Sequence, residues 1–209
     1  MAQMRKHLKL VMQRVPIAGP RHLNEKEITQ MRILAISGSL RASSSNTALL
    51  QAAAELAPQG VEVVLYDGLG DLPHFNPDLD DATVSPAVSV WRSKLRDADG
   101  VVFSVPEYAH GVPGVLKNGL DWVVGSGEFV DKPVTLFNAS PRGTYAQASL
   151  TETLTVMSAK VVPEASTTLQ LLGKAVAASQ IVADLGMAAV VRSALEVFAG
   201  AIETIKAAP

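Results

Sequence analysis

The 209-residue chain contains no cysteine. Disulfides, thiolate zinc sites, iron–sulfur clusters and a cysteine nucleophile are thereby excluded, and a reducing, cytoplasmic setting is the expectation. Charge is also sparse. Only 18% of residues are charged, and 18 Lys and Arg against 20 Asp and Glu leave a net charge of −2. Nothing in that balance favours a polyanion, so no nucleic-acid partner is expected. No uninterrupted apolar run reaches the roughly 18 residues that a bilayer span requires, so no membrane partner is expected either. The apolar tail 186–205 is interrupted by Arg192, Glu196 and Glu203 and reads as an amphipathic helix.

What is present is a hydrophobic content of 48%. A chain of this length can build one α/β domain with a full core. Residues 1–30 differ from the rest. Arg5, Lys6, Lys9, Arg14, Arg21 and Lys26 face only Glu25 and Glu27, and Pro16 and Pro20 interrupt the segment. It lacks the clean apolar stretch and small-residue cleavage site of a signal peptide. The expectation is a basic arm or extension ahead of a domain at 31–209.

Within that domain, apolar runs alternate with helical patterns. Strands are predicted at 33–36, 61–66, 101–105 and 133–137, with a fifth from 160–162 and 165–169. Helices are predicted at 47–56, 87–97, 114–124, 145–158 and 188–206. Residues 67–86, dense in Asp, Gly, Pro and Asn, read as a long surface loop, and 171–185 is ambiguous. Five β–α alternations predict a doubly wound five-stranded parallel sheet with helices on both faces and right-handed crossovers. Ligands in such sheets bind beyond the carboxyl ends of the strands, where the strand order reverses. The loops after the first, third and fourth strands are therefore the places to search.

The first of these loops reads Ser37-Gly38-Ser39-Leu40-Arg41-Ala42-Ser43-Ser44-Ser45-Asn46-Thr47. It runs from a strand into a helix N-terminus, whose unpaired amides and dipole favour an anion. Capping needs one hydroxyl residue; this loop supplies five serines, a threonine, an asparagine and a guanidinium that can grip two phosphate oxygens. Gly-Lys-Ser/Thr is absent, which excludes a Walker loop. Gly38 stands without the two further glycines of the dinucleotide fingerprint. A hydroxyl-rich, glycine-poor loop suits a terminal monophosphate held by side chains.

The second loop reads Pro106-Glu107-Tyr108-Ala109-His110-Gly111-Val112-Pro113-Gly114. Its prolines stiffen it and its glycines open the backbone to contact. Tyr108 can lie against a flat ring, and Pro113 starts the next helix. His110 is an acid–base candidate by residue type, but a single loop histidine is more often solvated. The third loop is Asn138-Ala139-Ser140-Pro141-Arg142-Gly143. Ser140, and to a lesser degree Arg142, are placed at the same crevice by position alone.

The motif Gly38-Ser39-Leu40-Arg41 with Ser44 and Asn46, then Pro106-Glu107-Tyr108, then Pro113-Gly114, Leu116-Lys117-Asn118 and Asp121-Trp122, resembles the NAD(P)H-dependent FMN reductase family. That family has a flavodoxin-like fold and includes quinone, chromate and azo-dye reductases. The resemblance covers about residue 32 to the end. It implies that Ser39, Arg41, Ser44 and Asn46, with Thr47 nearby, contact an FMN phosphate. Pro106, Glu107, Tyr108 and Ala109 would line the isoalloxazine edge through backbone amides, and Ser140 would supply the third contact. Lys117, Asn118, Asp121 and Trp122 match a helix of structure and subunit packing. Some relatives carry Asn where this chain has Ala109, so a side-chain contact to the ring is lost or replaced.

The resemblance further implies hydride transfer from NADPH or NADH to the flavin and onward to a small-molecule acceptor, with a homodimer or homotetramer as the working assembly. No catalytic side chain and no metal ligand is assigned. Two other classes share the fold: an electron carrier, which would be strongly acidic, and a small-molecule sensor.

Overall fold

A computed structural model describes residues 30–81, 84–171 and 176–208. The basic segment 1–30 lies, but for Gln30, outside the described residues. Six strands and six helices follow in order: β1 (Met31–Ser37), α1 (Ser45–Glu55), β2 (Val61–Tyr66), α2 (Pro86–Asp97), β3 (Gly100–Ser104), α3 (Gly114–Val124), β4 (Pro133–Asn138), α4 (Thr144–Val156), β5 (Lys160–Val161), β6 (Thr167–Thr168), α5 (Ala178–Ala183) and α6 (Leu185–Ala207).

The main sheet runs β2-β1-β3-β4-β5, all parallel. Strand order reverses between β1 and β3, where a ligand crevice opens in such folds. The central strands carry apolar residues on both faces because both are covered. On β1, Ile33 and Ala35 face one core with α1, α5 and α6, while Leu34 and Ile36 face the other with α2, α3 and α4. Each of these four is at most 2% exposed.

Close packing on both faces depends on glycine. A Cβ at Gly100 would lie 2.6 Å from Ile202 Cδ1, so glycine lets α6 settle on the start of β3. On the opposite face a Cβ at Gly119 would lie 2.9 Å from Leu69 Cδ2, and the Gly119 carbonyl accepts the Trp91 indole N–H at 2.8 Å.

Helix α6 is long and apolar enough to cross a membrane by length and composition alone. Its stripe Val191, Leu195, Phe198 and Ile202 is fully buried against the sheet, at the 3.6-residue period of a core helix.

Most expected elements sit within two or three residues of their predicted ends. The fifth strand differs. Lys160–Val161 pairs with the start of β4, a 3-10 turn at Pro163–Ala165 interrupts it, and Thr167–Thr168 pairs with the end of β4 apart from the main path. Proline at 163 cannot donate to a ladder, which breaks the continuous strand. The 67–86 loop contains two further 3-10 turns, Gly68–Asp71 and Pro77–Leu79. Within the ambiguous 171–185 region, α5 is a short helix.

Candidate functional site

The first loop leaves β1 at Ser37 and enters α1 through Ser44, whose extended backbone and side chain make it the N-cap. Ser44 Oγ accepts the Thr47 N–H at 3.3 Å. The amides of Ser45 and Asn46 have no acceptor within the helix and point outward from its first turn. Two polar contacts hold the turn against the sheet. Ser104 Oγ on β3 donates to Asn46 Oδ1 at 3.0 Å, and the hydroxyls of Ser37 and Thr47 pair at 2.8 Å. Ser39 Oγ accepts the Arg41 N–H at 3.3 Å, which curls the loop and leaves the exposed Arg41 guanidinium without a partner among the described residues.

Gly38 is the point of closest approach to β3. Its N–H donates to the Ser104 carbonyl at 2.9 Å, and a Cβ there would stand 2.9 Å from Val105 Cγ1. The first and second loops therefore touch at their bases.

The second loop folds back on itself. Tyr108 and Gly111 exchange two backbone hydrogen bonds, and the residues between them, Ala109 and His110, take left-handed φ values of 48° and 61°. The Tyr108 side chain is 55% exposed, so it is not part of the core. The third loop is built from its own side chains. Asn138 Oδ1 accepts the Ser140 N–H at 3.0 Å, and Ser140 Oγ accepts the Arg142 N–H at 3.1 Å.

The three loops meet around a cavity of about 560 Å³ at the carboxyl ends of β1, β3 and β4. That size falls within the range of about 300–1,000 Å³ typical of small-molecule sites. Eight of the ten predicted binding residues line it: Ser39, Arg41, Ser44, Asn46, Pro106, Glu107, Tyr108 and Ser140. Ala109 is not on the wall, because the left-handed turn carries it past the cavity edge. Thr47 lies on the other side of the α1 terminus and lines a separate, smaller depression.

Ser43, Ser45, Val105 and Asn138 also line the cavity. The two serines belong to the loop already singled out. Val105 directly follows β3 and Asn138 ends β4, and neither carries a sequence signal of its own. Arg142 lines the cavity too, so it contains two exposed guanidiniums, neither with a partner among the described residues. The single carboxylate on the wall, Glu107, is taken up by the Ala146 N–H at 2.9 Å.

The residues Asn118 and Trp122 on α3 have a structural task. Asn118 accepts the Phe75 N–H at 2.8 Å and donates to the Pro73 carbonyl at 2.9 Å; the Trp122 indole N–H reaches the same carbonyl at 2.8 Å. Phe75 packs edge-on against Trp122. Together they pin the long 67–86 loop to α3.

A family model described as NADPH-dependent FMN reductase matches residues 31–171. Over 112 residues the chain is 40% identical to an NAD(P)H-dependent FMN reductase of Pseudomonas aeruginosa, covering 53% of this chain and 60% of that protein. It is 36% identical over 154 residues to an NADH:(hydroxy)cinnamate reductase subunit of Vibrio ruber, covering 71% of this chain and 74% of the relative. The chain spans about half the length of several other curated relatives it matches. Among solved structures, FerB, a flavoenzyme NAD(P)H:(acceptor) oxidoreductase from Paracoccus denitrificans, superposes with a TM-score of 0.74 at 29% identity, over 83% of this chain and 98% of that one.

Proposed function

The chain belongs to the NADPH-dependent FMN reductase family, and on that footing we propose that it is an FMN-dependent oxidoreductase that takes electrons from NADPH or NADH and delivers them to a quinone, azo compound, metal oxyanion or similar small acceptor. The observation that carries the reading is the convergence of three unusual loops on one cavity, with an anion-favouring helix start among them.

The residues fit the phosphate of FMN. A helix N-terminus with two outward amides, the Ser39 and Ser44 hydroxyls and an Arg41 without a partner among the described residues offer donors and positive charge. The Glu107 carboxylate is turned to the start of α4, where it accepts the Ala146 N–H. Asn46 keeps its amide N–H₂ group for the ligand while its oxygen is tied to Ser104. Thr47 acts at one remove, by fixing Ser37. The backbone of Pro106, Glu107 and Tyr108, with Ser140 on the third loop, would hold the ring, while Ala109 falls outside the cavity wall.

When bound, the flavin supplies the redox chemistry. The protein's work is to anchor one end, orient the ring and leave an open face for donor and acceptor in turn. No side chain is assigned a proton transfer.

We take 31–209 as the reductase domain and 1–30 as a basic arm or extension of it. For the homodimer or homotetramer that the family reading implies, we infer the α3–α4 face as the contact. Val124, Val130 and Val156 are 57–75% exposed there, around a groove of about 390 Å³. The test of function is steady-state oxidation of NADPH and NADH by the FMN-loaded protein with a quinone as acceptor. Turnover above the free-FMN control supports the reading; its absence with both nucleotides refutes it.

A further inference from the structure

The second loop contains two features that phosphate or ring contact does not require. Two consecutive residues with side chains, Ala109 and His110, sit in the left-handed region. Such residues cost of the order of 1 kcal/mol or more each and persist only where the surroundings fix them. The second feature is Glu107. It points away from its own loop to accept the Ala146 N–H, in the first turn of α4. That helix needs the help: its N-cap is Gly143, which has no side chain to offer, so its leading amides lack a local acceptor.

Another contact joins the same two segments. The His110 imidazole stacks on the Tyr145 ring, with centroids 4.0 Å apart and planes 18° from parallel. Tyr145 is the residue before Ala146, so the carboxylate cap and the ring stack grip α4 at adjacent positions. The left-handed turn directs His110 onto Tyr145. The second and third loops, which supply different parts of the cavity wall, are thus bound to each other through the start of one helix.

We propose that Glu107, His110 and Tyr145 form a two-point brace that locks the second loop to α4 and so positions the wall against which the flavin ring rests. They are positioning residues. The purpose of the wall rests on the flavin reading above; the brace itself does not.

Amide hydrogen exchange on the flavin-free protein tests the brace. Glu107→Ala removes the carboxylate and is expected to speed exchange roughly tenfold at 107–111 and 144–146 together, the loss of one hydrogen bond to a charged group. Glu107→Gln keeps a carbonyl acceptor and stays within about threefold of the parent. Tyr145→Leu loosens both segments by about threefold through the lost stack, and Tyr145→Phe does not. Loosening of the α4 terminus alone would reduce Glu107 to a helix cap and overturn the proposal. So would a Glu107→Gln variant as loose as Glu107→Ala.

In flavin titrations of the same variants, Glu107→Ala weakens FMN and riboflavin by the same factor, because the loss falls on the ring. Unchanged affinity for both, with the loops loosened, would overturn the positioning role. A parent protein that binds neither flavin defeats the functional reading instead, and the exchange comparison then decides the brace by itself.

Discussion

Arg41→Ala separates the two ends of the proposed ligand. The guanidinium is exposed, lines the cavity and has no partner among the described residues, so its removal disturbs no contact of the fold. A hydrogen bond to a charged group contributes about 1.5–3 kcal/mol. Exposure to solvent screens this one, which places the loss near the lower limit, or roughly tenfold in affinity. The helix amides, Ser39 and Ser44 remain, so binding of FMN is weakened and not abolished. Riboflavin lacks the phosphate and should bind parent and variant within about twofold, since no hydrogen bond to it is lost. Quenching of flavin fluorescence gives both dissociation constants. The tenfold difference should shrink as salt is raised, because screening already weakens the lost contact in the parent. Equal loss for FMN and riboflavin, or loss independent of salt, would refute the placement of the phosphate at this loop.

Other consequences can be measured on the fold and the assembly. Gly38→Ala puts a methyl 2.9 Å from Val105 Cγ1 where the first and second loops meet, and should destabilise the protein by about 1–3 kcal/mol, read as a lowered Tm. Burial alone would push the Asp99 carboxyl up. A hydrogen bond from Lys206, the Arg32 N–H at 2.6 Å and the Lys206 and Lys132 charges together outweigh it and hold the carboxyl below its ordinary value. A depressed carboxyl stabilises the fold above its unfolded pKa and loses that contribution as pH falls through the folded value. Asp99→Asn should therefore flatten the loss of stability below about pH 4 in urea unfolding, and a parallel acid limb in both proteins would contradict this. Val156→Asp changes a residue that is 75% exposed; it should shift light-scattering mass toward the single chain and lower Tm only by what association contributes, and an unchanged mass would move the interface off the α3–α4 face.

The parallel sheet was legible because its central strands are short apolar runs bounded by Gly, Pro and Ser. Residues 61–66 and 114–124 emerge with the predicted ends. The divided fifth strand was not legible: 160–162 and 165–169 both read as strand, and only their pairing to opposite ends of β4 separates them. Arg41 and the loop serines, singled out by their own chemistry, do line the cavity. Residues that act through a distant partner are not legible in this way. Nothing local in Glu107 announces a helix start 39 residues on, nor does Ala109 announce a left-handed turn, since that conformation usually falls to Gly, Asn, Asp or His. Thr47 shows the converse case. It has the right chemistry and sits one residue beyond Asn46, yet the helix turns it toward Ser37 and away from the cavity.

The most direct test of the central claim is an equilibrium titration of the flavin-free protein with FMN, repeated in the presence of inorganic phosphate. Saturation at one FMN per chain, with apparent affinity falling as phosphate competes at the α1 terminus, is the predicted result. A protein that does not bind FMN, or binds it with complete indifference to phosphate, would contradict the account.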